Sequence, residues 1–311
     1  MNPPKTILLI HGASSTPAFW ANFKARFERK GYTVLAPAWP YYNRPAAELA
    51  KVPDPRVARL TLAEIADHFE RFIRKLPDLP ILMGHAFGGL IVQILLKRGL
   101  GAAGVALSPV PPSGVREHPT ALASSVASVL ANIVWVRGLL NAGRSVFRKL
   151  GDLAVLNQRT PAEMPEHVPM PRRIFLETLN GPDIGGGFGG SERAPLLLIA
   201  ADQDRSVPMP LVRTHYFEQI AARTQTDYKV FKGRSHLLCL ERGWEEIADY
   251  VLTWASVAVM PAIVDQARQV REAAERLKHD WAWLQAYLPH SSSRSAFQQS
   301  PAFGSGLNAM A

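Results

Sequence analysis

The sequence is most informative where it is poor. It has one cysteine, Cys239, in 311 residues. An intramolecular disulfide is therefore excluded, and nothing points to an oxidising compartment. Long apolar runs are also missing. The longest, ALASSVASVLANIVWV at 121–136, is broken by serines and by Asn132 and is shorter than a bilayer span. The opening MNPPKTILLIHG carries too short an apolar run for a signal peptide, so we expect a cytoplasmic protein with no membrane partner. The chain is basic, with 35 Lys and Arg against 26 Asp and Glu, a net charge of +9. It nevertheless lacks a Lys/Arg-rich run and any nucleic-acid motif. We read a solvated basic surface and expect no nucleic-acid partner. The nine histidines form no H-E-x-x-H or similar ligand cluster, so no metal is expected.

What is present is an alternation. Short apolar runs at TILLI (6–10), TVLA (33–36), PILMG (80–84), GVALS (104–108), APLLLIA (194–200) and YKVF (228–231) read as strands. Between them lie amphipathic stretches near 18–30, 62–75, 211–222 and 244–255, and an apolar one after Phe87. The stretch at Leu62 opens with Thr61-Leu62-Ala63-Glu64, a capping box in which threonine and glutamate satisfy first-turn amides. Continuously apolar strands alternating with helices predict an α/β fold, a mostly parallel sheet flanked by helices on both faces.

Residues 113–190 interrupt this rhythm and read as a helical insertion. GGGFGG in its closing stretch lacks the Lys-Ser/Thr of a phosphate loop and reads as a linker. We assign 1–112 and 191–257 to the core, 258–290 to a C-terminal helical arm and 291–311 to a flexible polar tail. In the arm, Ile263, Ala267, Val270, Ala274, Leu277, Trp281, Leu284 and Leu288 form a heptad seam. The arm either packs on its own domain or pairs two copies through residues 259–288.

ILMGHAFGGLIV (81–92) reads as a strand, a glycine-bracketed turn and a helix. A nucleophile on such an elbow needs small residues two before and two after it, and Gly84 and Gly88 stand there. The position between them is Ala86.

LLIHGASS, VLAPAWP, GHAFGGLIVQ, LLLIAADQDRSVP and GRSHLLCLERGWEEIADYVLTWA together resemble the α/β-hydrolase superfamily, in its cap-bearing bacterial serine hydrolase branch. The resemblance spans about residues 5–257, is weak through 113–190, and leaves out the arm. It implies the α/β-hydrolase fold without its first hairpin, a helical cap at 113–190, no cofactor, and a small-molecule ester or lactone substrate. Position 86 becomes the nucleophile's place. Asp204 is the favoured acid, with Asp202 as rival, and His236 in Gly233-Arg234-Ser235-His236 is the base. The oxyanion donors are the backbone amides of Phe87 and Ala13, with Ser14 a substitute. Trp39, Tyr41 and Tyr42 follow the second strand and either line the substrate pocket or pack beneath the cap.

Alanine has no atom with which to attack a carbonyl. Three readings stand: an inactivating substitution of a serine hydrolase, a natural pseudoenzyme that binds a ligand, and an interaction module acting through the arm. The retained acid, base and elbow glycines favour the first. Dehalogenation and epoxide hydrolysis need a carboxylate at the elbow, while carbon–carbon bond hydrolysis uses the same frame as ester cleavage.

Overall fold

The computed structural model describes residues 4–112, 193–220 and 224–260, with residues 168, 170, 171, 173, 174, 177 and 276. The apolar runs become six strands, β1 (Thr6–Ile10), β2 (Thr33–Leu35), β3 (Ile81–His85), β4 (Ala103–Leu107), β5 (Leu196–Ala201) and β6 (Thr226–Phe231). Their order is β2-β1-β3-β4-β5-β6, and every pairing among them is parallel. From β1 the chain steps outward to β2, then returns to β1's other side as β3. A reversal of this kind opens a crevice at the carboxyl ends of the two central strands.

Strand residues alternate between two cores. Leu8, Ile10, Leu82, Ala106, Leu196 and Leu198 enter one; Ile7, Leu9, Ile81, Met83, Val105 and Leu197 enter the other. The first is covered by α3 (Leu62–Ile73), α4 (Phe87–Lys97) and the start of α5 (Met209–Ile220). The second is covered by α1 (Ala21–Arg29) and α6 (Trp244–Ala258). Burial on both faces explains why β1, β3, β4 and β5 read as unbroken apolar runs, each large side chain contributing about 1.5–3 kcal/mol, while the edge strands β2 and β6 are partly exposed.

Thr61 caps α3 with the full reciprocal box, its side chain accepting from Glu64 N and Glu64 accepting from Thr61 N. The single helix expected over 18–30 is two pieces, a 3-10 turn at Pro17–Trp20 and then α1. Pro17 sets that break by starting the turn. A short helix α2 (Ala46–Lys51) and a 3-10 turn at Pro55–Arg59 lie where no periodicity marked them.

The described fold lies in a unit spanning Met1–Val264; a second unit spans Asp265–Ala311, of which Arg276 is described. The expected cap, the glycine tract, the arm beyond Met260 and the tail lie outside the described residues, apart from the few positions named above. Of those, Val168 and Ile174 are buried in the first core, and Glu177 accepts from Leu62 N at 3.0 Å. Among the described residues no helix is long and apolar enough to cross a membrane.

Candidate active site

Ala86 is one of three described non-glycine residues at positive φ. Ala86 joins β3 to α4 at φ 51° and ψ −116°, a conformation costing on the order of 1–3 kcal/mol in a non-glycine residue. The turn is sharp enough that α4 crosses directly over the strands. A Cβ on Gly84 would fall 2.2 Å from the Gly88 carbonyl oxygen, and one on Gly88 would fall 2.1 Å from that of Ile10. Both glycines are there to let backbone meet backbone. The elbow is pinned to the loop after β4: Ala86 N–H donates to Leu107 O at 3.0 Å, and Val110 N–H donates to Ala86 O at 3.1 Å.

The two amides expected as oxyanion donors lie after β3 and after β1. Phe87 N–H opens the first turn of α4, where a helix leaves its amides without internal partners. Ala13 N–H lies in the turn after β1, held by Ser15 N–H and Oγ donating to Gly12 O at 3.3 and 3.2 Å. Among the described residues no carbonyl of the surrounding loops and turns accepts from either amide.

The expected acid and base lie in the loops after β5 and β6. His236 Nδ1–H donates to Asp204 Oδ2 at 2.8 Å. The other oxygen, Oδ1, accepts from Ser206 N and Val207 N, each at 2.8 Å. Asp202 instead accepts from Arg234 N at 3.3 Å and is exposed. Geometry therefore separates two aspartates that spacing left in competition. Burial pushes the Asp204 pKa up, but the His236 charge, its hydrogen bond and the Val207 amide outweigh this and hold it below its ordinary value. Burial pulls His236 down, and the Asp204 carboxylate, through charge and hydrogen bond, with a further contribution from Glu241, raises it above 6.5. With Nδ1 committed, Nε2 is the atom left for proton transfer. Among the described residues no group of three or more His, Cys, Asp or Glu could hold a metal ion.

This arrangement sits on a scaffold with known relatives. The profile of the alpha/beta hydrolase family matches residues 7–250. This chain belongs to that family. No curated protein matches it by sequence. Among solved structures it is similar to a pyrethroid hydrolase from Sphingobium faniae JZ-2, at 19% identity and TM-score 0.58, over 83% of this chain and 98% of that one. A thermophilic esterase from Thermogutta terrifontis shares 13% identity at TM-score 0.58, over 84% and 92% of the two chains. A monoacylglycerol lipase from Paleococcus ferrophilus shares 19% identity at TM-score 0.54, over 83% and 97%. At these identities the likeness is one of fold.

Within this alpha/beta hydrolase, the aromatic residues after β2 divide. Trp39 and Tyr42 are buried, at 1% and 2% exposure, and pack against His11. The His11 ring stacks on Trp39 at 5.3 Å, His11 Nε2 accepts from Trp39 N at 3.2 Å, and Tyr42 O–H donates to Ala13 O at 3.3 Å. Tyr42 thus braces the turn that carries the Ala13 amide. Tyr41 turns aside at φ 69° and lies under the Arg56 guanidinium at 4.2 Å. Ser14 accepts through its carbonyl from Val168 N at 3.3 Å. His11 is pulled down to about 4 by burial and stays neutral, as a hydrogen-bonder.

Sequence reasoning missed the supports of the base. His85 Nε2–H donates to the His236 carbonyl at 2.8 Å, and the two rings lie 4.6 Å apart. Burial, then the neighbouring His236, pull His85 down to about 3, so it is neutral. Glu241, 4% exposed, accepts from Ser235 N at 2.9 Å and from the Ser235 hydroxyl, while Leu237 N donates to Ser235 Oγ at 3.2 Å. The signal was available: a glutamate five residues after His236 in an otherwise apolar SHLLCLE needs a buried partner. Cys239 is fully buried with its thiol pKa pushed well up, and packs as a small apolar residue.

Proposed function

We propose that this scaffold is a serine hydrolase cleaving a carboxylic ester or lactone through an acyl-enzyme, and that the chain with Ala86 is its nucleophile-lacking form. With serine at position 86, the hydroxyl attacks the acyl carbon as His236 Nε2 takes its proton. Asp204 orients His236 and offsets the imidazolium charge, and the Phe87 and Ala13 amides hold the oxyanion. His236 then returns the proton to the leaving alcohol, and water repeats the sequence to release the acid. The observation carrying this reading is the strained elbow. A backbone at φ 51°, bracketed by glycines that admit no Cβ, serves to present a side chain, and a methyl group has no chemistry to present.

Removing a triad nucleophile costs on the order of 10⁶-fold in turnover, about 8 kcal/mol of barrier. The Ala86→Ser variant and the unaltered chain should be compared on p-nitrophenyl esters and lactones and with a fluorophosphonate label. Turnover and labelling confined to the variant are expected. A folded Ala86→Ser variant that is silent and unlabelled overturns the reading and brings forward a ligand-binding pseudoenzyme.

A further inference from the structure

Nucleophilic acyl transfer needs a nucleophile, a base and oxyanion donors. Position 86 removes the first and leaves the other two intact. A base with oxyanion donors and no nucleophile is a different device: it can withdraw a proton from the carbon beside a carbonyl and stabilise the resulting enolate. We propose that the chain as it stands, with alanine at position 86, uses His236 Nε2 and the amides of Phe87 and Ala13 to enolise a bound 1,3-dicarbonyl compound such as a β-keto ester. The proposal shares the His236–Asp204 pair with the hydrolase reading but is independent of a serine at position 86.

Three observations carry it. The base is fully assembled without a nucleophile: Nδ1 is 2.8 Å from Asp204, both Asp204 oxygens are occupied, and the His236 carbonyl is held by His85 at 2.8 Å. The two nucleophile-type side chains flanking it are out of play, since the Ser235 hydroxyl is committed to buried Glu241 and Cys239 is fully enclosed. The elbow itself is shielded, with Ala86 at 8% and Phe87 at 9% exposure, which strengthens amide–oxyanion bonds and limits quenching by water. Imidazole is too weak a base for a simple ketone, so the substrate class is one whose C–H lies between two carbonyls.

The step balances within the site. The C–H bond breaks, its proton goes to His236 Nε2, and its electron pair enters the enolate, whose charge rests on the oxygen facing the two amides. Asp204 offsets the imidazolium. In D₂O the N–H exchanges with solvent, and a deuteron returns to carbon, restoring neutral His236.

One probe separates this from ester cleavage. Ethyl 2-methylacetoacetate in D₂O is followed by proton NMR, where loss of the C2–H signal reports enolisation and release of ethanol reports hydrolysis. The unaltered chain is expected to accelerate C2–H exchange on the order of 10²-fold over buffer, without ethanol. His236→Ala and His236→Gln, each checked for folding by circular dichroism, return exchange to the buffer rate. Exchange no faster than buffer with the folded, unaltered chain overturns the proposal, whatever the Ala86→Ser variant does to esters. Exchange that survives loss of His236 overturns it too. Exchange by the unaltered chain beside an Ala86→Ser variant that cleaves no ester supports the proposal and defeats only the hydrolase reading.

Discussion

The described residues hold two histidine clusters, and they differ in partner and in depth, the His236 side chain being 22% exposed and His215 fully buried. His236 pairs with the Asp204 carboxylate, with Glu241 nearby, and its pKa is raised. His215, on α5, sits in a network of amides and a guanidinium. Gln219 Nε2 donates to His215 Nε2 at 3.2 Å and to Gln93 Oε1 at 3.3 Å, Gln93 Nε2 donates to Gly89 O at 3.1 Å, and Arg193 donates to Gln219 Oε1 at 2.9 Å. Burial, with the Arg193 charge behind it, pulls His215 down to about 3. Burial alone makes a histidine inert; a carboxylate in contact makes it a base. The raised pKa lets His236 carry a proton where His215 cannot, and the second cluster ties α4 to α5 without a charge on its imidazole.

The sharpest way to break this contrast is to remove the carboxylate. In the Ala86→Ser background, Asp204→Asn is expected to lower kcat on the order of 10⁴-fold. It should also drop the His236 pKa below 6.5, toward the behaviour of His215, as read by NMR titration of the ring protons. A His236 pKa that stays raised would show that Asp204 is not its cause.

Acid sharpens the contrast next. His11, His85 and His215 are depressed to about 4, 3 and 3 from 6.5, so each contributes stability that is present above pH 6.5 and is lost as pH falls through those values. Each can cost up to about 1.4 kcal/mol per pH unit across its window. His236 has the opposite sign: its contribution is full below 6.5 and is lost as pH rises through its raised folded value. Urea midpoints measured from pH 7 downward should therefore fall progressively. A flat profile between pH 6.5 and 4 would mean that these rings are not buried neutral.

The smallest effect tests the second cluster alone. Gln219→Leu takes the central hydrogen-bonding side chain from Gln93, His215 and Arg193 and should cost about 1–3 kcal/mol of stability. The His236 titration should not move. If it does, the clusters communicate through α4 and are not independent units.

Much of this could be read from residue order. Continuous apolar runs announced β1, β3, β4 and β5 as strands buried on both faces, and the Thr61–Glu64 box announced a helix start, because both patterns express local geometry. Gly84 and Gly88 marked the elbow because only glycine lets two backbones come that close. The choice between Asp202 and Asp204 was harder, since two residues of spacing do not say which carboxylate turns toward a histidine 32 residues away. Helix α2 and the turn at Pro55–Arg59 were invisible, because short segments take their shape from what they pack against.

The sequence by itself determined the class of fold, the order of Asp204 and His236 along the chain, and the alanine at position 86. Each follows from residue identity or from a period that the backbone imposes. Only the tertiary structure decided that Trp39 and Tyr42 are buried, that His85 and Glu241 hold the loop carrying His236, and that His236 and His215 differ in proton affinity. Those outcomes depend on which charges and amides meet after folding, and residue order does not encode that directly.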